Sequence, residues 1–139
     1  MRLTDRISLT PTASEVARFN TWFDKRCADG GLEETLRADL KLCANEVLAN
    51  LISYGFKNTL RPWIQIRLDL RPDRGVATII DNGAFFDLRK WQLPKERDLA
   101  TAAPGGFGIA LTRERASRIR YARFCRLNRL KIVCSMATP

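Results

Sequence analysis

Two hydrophobic periods divide this chain. Arg6-Ile7-Ser8-Leu9-Thr10 alternates ahead of Pro11 and reads as a short strand. Val16, Phe19, Phe23 and Cys27 then follow at helical spacing, and Gly30-Gly31 supplies the stop. Just before them, Thr12-Ala13-Ser14-Glu15 has the form of a capping box, in which a Thr oxygen and a Glu carboxylate satisfy free backbone N–H groups reciprocally. A second helical stripe, Leu36, Leu40, Cys43, Val47 and Leu51, predicts a helix from about Glu33 to Tyr54, stopped at Gly55. Period two returns at Trp63–Leu70, with Ile64, Ile66, Leu68 and Leu70 on one face. The turn chemistry of Arg71–Gly75 then leads into a strand at Val76–Ile80.

The final third is less regular. Leu88 to Pro104 has no clear period and contains Pro94 and Pro104, so it reads as a long connection of the kind that often forms a lid. Gly105-Gly106-Phe107-Gly108 opens a third helix. Two terminal strands follow, around Ile119–Leu127 and Leu130–Cys134, joined at Asn128-Arg129. This order predicts an α+β fold of one domain spanning residues 1–139: a two-layer sandwich in which helices pack on one face of a mixed, mostly antiparallel sheet.

Composition narrows the chemistry. No run approaches the ~20 apolar residues of a membrane span, and Met1–Arg6 lacks a secretory h-region, so a cytoplasmic protein is expected. Cys27, Cys43, Cys125 and Cys134 form no Cys-x-x-Cys pair and fall at apolar-face positions, which predicts buried, reduced thiols. The chain has no histidine, which excludes His-based acid–base catalysis, His metal sites and a phosphohistidine relay. Its net charge is +9. Between Arg113 and Lys131 eight basic residues stand against Glu114 alone, a bias that speaks to acidic partners or nucleic acid, or to long side chains that cover a helix and a sheet face.

Three stretches carry candidate chemistry. Glu46 and Asn50 lie four apart on a helix and project from one face, where a carboxylate can act as a base and a carboxamide oxygen can ligate Mg²⁺. Asp81-Asn82-Gly83 ends a strand, so Asp81 can accept the exocyclic amine of adenine while Gly83 lets backbone approach the ring. Gly105, Gly106 and Gly108 precede a helix whose free N–H groups and dipole suit phosphate.

In this order, Glu-x-x-x-Asn, Asp-x-Gly-x-x-Phe-Asp and Gly-Gly-x-Gly resemble the ATP-binding fold shared by histidine kinases, Hsp90, DNA gyrase and MutL. They look most like its short branch, the anti-sigma factor serine/threonine-protein kinases of bacterial partner-switching systems. The resemblance covers nearly the whole chain, including Tyr121 and Asn128-Arg129-Leu130. It implies ATP and Mg²⁺ as cofactors, with Glu46 as the catalytic base and Asn50 as the metal ligand. Asp81 and Gly83 would meet adenine, Gly105, Gly106 and Gly108 would hold the phosphates, and Thr112 would close on the adenine end. Asn45 would have at most a supporting role. The implied acceptor is a serine on a STAS-domain anti-anti-sigma protein, and the sequestered partner is a sigma factor or another regulator; homodimerisation is implied as well.

Two positions depart from the family pattern. Tyr54 stands where a His is expected, and Ser117 where an acid is common. They motivate an alternative reading, an ATP-loaded partner switch without catalysis. A nucleic-acid-binding protein is a third reading, disfavoured because only Tyr121 and Phe124 interleave with the basic run.

Overall fold

The computed structural model describes residues 2–85 and 114–136. The chain starts with strand β1 (Leu3–Leu9), followed by helices α1 (Ala13–Gly30) and α2 (Glu34–Asn50) and a π-helical turn (Leu51–Gly55). Strands β2 (Ile64–Arg71) and β3 (Arg74–Asp81) form one hairpin, and β4 (Arg118–Phe124) and β5 (Leu127–Ser135) form another. The five strands lie in the order β1-β2-β3-β5-β4, and every pairing among the described residues is antiparallel.

Both helices cover one face of this sheet. Phe19, Phe23, Cys27 and Gly30 form the buried stripe of α1, and Leu36, Leu40, Cys43, Ala44, Val47 and Leu48 that of α2. They meet a sheet face made of alternate residues, such as the cross-strand row Ile7, Ile66, Ile79, Leu130 and Tyr121. Packing is close at the start of β3, under Leu32 and the α2 residue Leu40. A Cβ at Gly75 would come within 2.9 Å of both Leu32 and Leu40. Each fully buried leucine here contributes about 1.5–3 kcal/mol of transfer free energy.

Local chemistry sets the ends of the helices. Gly31 at φ 68° closes α1, with its N–H on Ala28 O and that of Leu32 on Cys27 O. Glu33 caps α2 by accepting from the N–H groups of Thr35 and Leu36, both at 3.0 Å. The capping box expected at Thr12 does not form. Thr12 Oγ1 pairs with Ser14 instead, while Glu15 accepts from Thr10 N and is clamped by Arg18 one turn on. The nearby guanidinium attracts the carboxylate more strongly than a backbone amide does.

Two further expectations need correction. The terminal hairpin turns at Cys125-Arg126, both at positive φ (48° and 63°), rather than at Asn128-Arg129. Two consecutive positive φ values match the type I′ turn that suits the twist of a two-residue hairpin. Asn128 is therefore a buried strand residue. The same turn exposes Cys125, whereas Cys27, Cys43 and Cys134 are buried thiols as expected. The segment 88–104, the glycines Gly105, Gly106 and Gly108, and Thr112 lie outside the described residues. Among those residues no helix is long and apolar enough to cross a membrane.

Candidate functional site

A cleft opens where the C-terminal end of α2 and the π-helical turn face the middle of the sheet. It is lined on the helix side by Glu46, Asn50 and Tyr54, and on the sheet side by Asp81, Tyr121 and Asn128. The helical period puts Glu46 and Asn50 one turn apart, both half-buried and both facing this cleft. Directly after Asn50 the helix widens into the π-helical turn, which brings Tyr54 and Gly55 to the rim.

Asn50 is oriented by its own helix. Its Nδ2 donates to Glu46 O at 2.8 Å, and Oδ1, the other end of the amide, accepts no hydrogen bond among the described residues. A hard cation such as Mg²⁺ takes oxygen ligands, so the donor set fits the ion expected at this residue.

The sheet side is built by three consecutive strands. Asp81 on β3, Asn128 on β5 and Arg123 on β4 are direct cross-strand neighbours. Asp81 Oδ1 accepts from Gly83 N at 2.8 Å and from Asn128 Nδ2 at 3.0 Å. Neither contact uses Oδ2, which remains for a donor in the cleft. Asn128 Oδ1 in turn accepts from Tyr121 Oη (2.5 Å) and Arg123 Nη1 (2.9 Å), and its amide also donates to Ala84 O at 2.8 Å. Burial pushes the Asp81 carboxyl above its ordinary value, against the opposing pull of Asn128, Gly83 N–H and Arg123.

Gly83 is required by its neighbour on the helix side. A Cβ there would stand 2.5 Å from Gly55 O, which already accepts from Ala84 N at 2.9 Å. The loop after β3 is thus bound to the turn that ends α2. Phe85 closes the site edge-on against Tyr121, with ring centroids 5.5 Å apart.

Of the residues expected from sequence, Glu46, Asn50, Asp81 and Gly83 come together here. Asn128, Arg123, Tyr121 and Phe85 join them without having been assigned roles. The usable signal was Asn128 on the inward, period-two face that continues through Leu130, Ile132 and Cys134. A polar residue on that face needs buried partners. Two residues prove to be structural. Asn45 exchanges side-chain hydrogen bonds with Asn20 (2.8 and 3.0 Å), tying α2 to α1. Ser117 closes the open end of the terminal hairpin through Ser135 and Val133.

Residues 9–133 match the model of the histidine kinase-like ATPase domain. The chain belongs to that family. The domain is 33% identical over 123 residues to the serine/threonine-protein kinase BtrW of Bordetella bronchiseptica, an overlap that covers 86% of this chain and 85% of that protein. Its fold is similar to the RsbU and RsbW domains of Rv1364c from Mycobacterium tuberculosis, with a TM-score of 0.67 at 16% identity. That match covers 96% of this chain and 32% of the other. The histidine kinase domain of the Erythrobacter litoralis EL346 blue-light activated histidine kinase is similar with a TM-score of 0.53 at 13% identity, covering 88% and 59%. ATP is the ligand such an ATPase domain implies. The α+β sandwich expected from the hydrophobic pattern is the architecture of these structures.

Proposed function

We propose that this domain is an ATP-dependent protein-serine/threonine kinase of the partner-switching type. It would phosphorylate a STAS-domain anti-anti-sigma protein and, in the alternate state, hold a sigma factor or another regulator. The observation that carries this reading is the placement of Glu46 and Asn50 on one wall of a cleft whose other wall presents Asp81. The name of the relative BtrW, a serine/threonine-protein kinase, supports the reaction class.

Each residue then has a role. Asp81 Oδ2 accepts the adenine amine, with Oδ1 immobilised by Gly83 N–H and Asn128. Asn50 Oδ1 would hold Mg²⁺, which when bound neutralises phosphate charge. Glu46 orients the partner's serine hydroxyl and accepts its proton. Gly105, Gly106 and Gly108 would cradle the phosphates, and Thr112 would close the adenine end; these assignments rest on the sequence pattern. A homodimer belongs to the same proposal. Phosphoryl transfer depends mainly on positioning and electrostatic stabilisation, so fixed groups suffice for catalysis.

The test compares Glu46→Gln and Asn50→Ala with the parent protein. ATP with Mg²⁺ is expected to raise the thermal midpoint of the parent and of Glu46→Gln alike. In Asn50→Ala the Mg²⁺-dependent part of the shift is lost. Phosphate transfer to a STAS-domain protein, followed by mass spectrometry, should fall by about 10²–10⁴ in Glu46→Gln. Undiminished transfer in that variant would remove Glu46 from the role of base. Partner exchange without any phosphoprotein would favour the non-catalytic switch, the reading motivated by Tyr54 at the rim of the cleft.

A further inference from the structure

The sheet face turned away from the helices is strongly basic. Strand register places Arg6, Arg67, Thr78, Lys131 and Arg120 side by side in one row across all five strands. Arg129 stands in the adjoining row, between Ile80 and Ala122. None of these basic side chains has an ion-pair partner among the described residues. Asp69, the one acid at a strand position on this face, is held by Arg2 at 2.7 Å.

The arrangement is a trough. Its middle, along β3, starts with the exposed Arg74 and continues with neutral side chains, the buried Val76 and the partly exposed Thr78 and Ile80. Cations flank that floor on both sides, from β1 and β2 on one and from β5 and β4 on the other. Two inter-strand steps separate Arg67 from Lys131, about 10 Å, and four separate Arg6 from Arg120, about 19 Å. An α-helix with its side chains is about 10–12 Å across.

We infer that this outer sheet face is a docking surface for an acidic amphipathic helix of a partner protein. The helix lies along β3 with its apolar side on the partly exposed Thr78 and Ile80 and its carboxylates facing Arg67 and Lys131. An apolar centre within a basic rim is the anatomy of a protein interface, and the arginine fork matches a carboxylate in two bonds. Nucleic acid fits less well, because stacking platforms are missing from the floor. Phe124 sits at the corner with the Arg129 guanidinium 5.8 Å over its ring. A second copy of this chain would meet like charge with like charge. The segment 86–113 has five basic and three acidic residues and cannot neutralise the face. This inference is independent of the kinase reading.

The experiment measures binding of three labelled probes to the full chain by fluorescence anisotropy. They are a helical peptide with a leucine stripe flanked by glutamates, the same peptide with glutamines, and a short single-stranded DNA. The glutamate peptide is expected to bind, with affinity falling as salt rises, and the glutamine peptide is expected not to. The double variant Arg67→Glu/Lys131→Glu should weaken glutamate-peptide binding roughly tenfold or more. Its ATP-dependent thermal shift should stay at the parent value, which shows that the fold is retained. Failure of the glutamate peptide to bind, or equal binding in the double variant, would overturn the inference. Tighter binding of DNA than of peptide would reassign the face to nucleic acid. Loss of self-association in the double variant, read by sedimentation, would assign it to a second copy.

Discussion

Asn128 donates to Asp81 Oδ1 at 3.0 Å and thereby makes a residue of β5 part of the site that ends β3. The pair is buried, and the two residues are direct partners in the strand register. Asn128 also accepts from Tyr121 and Arg123, so one carboxamide connects three strands to the candidate adenine acceptor.

Replacing that carboxamide should be costly. Asn128→Ala strips one partner from Asp81 Oδ1, the donor from Ala84 O, and the acceptor from Arg123 and Tyr121. A loss of about 1–3 kcal/mol is expected from removing these buried hydrogen bonds. Urea unfolding measures it, and ATP titration should show weaker binding in the same variant.

Asp81→Asn separates stability from ligand recognition. Burial raises the Asp81 pKa, so the ionised form costs folding free energy. A raised carboxylate pKa means that the folded state holds its proton more tightly than the unfolded state. The resulting stability is fully present below the unfolded pKa, about 3.9, and is lost as pH rises through the folded value. At neutral pH the variant should therefore unfold at equal or higher urea than the parent, with the difference shrinking on acidification. ATP binding should nevertheless be lost, because an Asn amide facing the adenine amine sets donor against donor. A variant less stable than the parent at neutral pH would contradict the burial argument.

Gly83→Ala tests the contact between the two walls of the cleft. Its Cβ would meet Gly55 O at 2.5 Å, and neither backbone can yield without moving the loop or the π-helical turn. A destabilisation of about 1–3 kcal/mol is expected from such overpacking. Denaturant unfolding reads it directly, and unchanged stability would show that the loop shifts freely.

Glu15 gives a titration prediction at the other end of the fold. The Arg18 guanidinium foremost, with Thr10 N–H, holds its carboxyl down at about 2. The corresponding stability is present above the ordinary glutamate value and disappears as pH falls through about 2. Carboxyl NMR of the parent should show the low midpoint. In Arg18→Ala it should move up towards the ordinary value of about 4.3.

Much of this architecture is written in the local pattern. Stripes such as Phe19-Phe23-Cys27 and Leu36-Leu40-Cys43 specify helices with one apolar side. The run Ile64-Ile66-Leu68-Leu70 specifies a strand with one buried face, because apolar area leaves water only when the period matches the geometry. Glu46 and Asn50 were legible for the same reason: a four-residue interval on a helix places two side chains on one side whatever the helix packs against. Asp81 and Gly83 were legible as an acid and a glycine directly after a strand.

Tertiary structure decided the rest. Asn128-Arg129 looked like turn chemistry, yet Cys125 and Arg126 take the positive φ values, because Asn128 finds buried partners across the strands. Thr12 and Glu15 had the form of a capping box, but Arg18 and Thr10 offered Glu15 a better site. The array of Asp81, Asn128 and Arg123, and the basic row from Arg6 to Arg120, depend on strand register, which brings together residues far apart in the chain. Periodicity tells each strand which side to bury. Pairing across the sheet decides which residues become neighbours, and that information lies in no single segment.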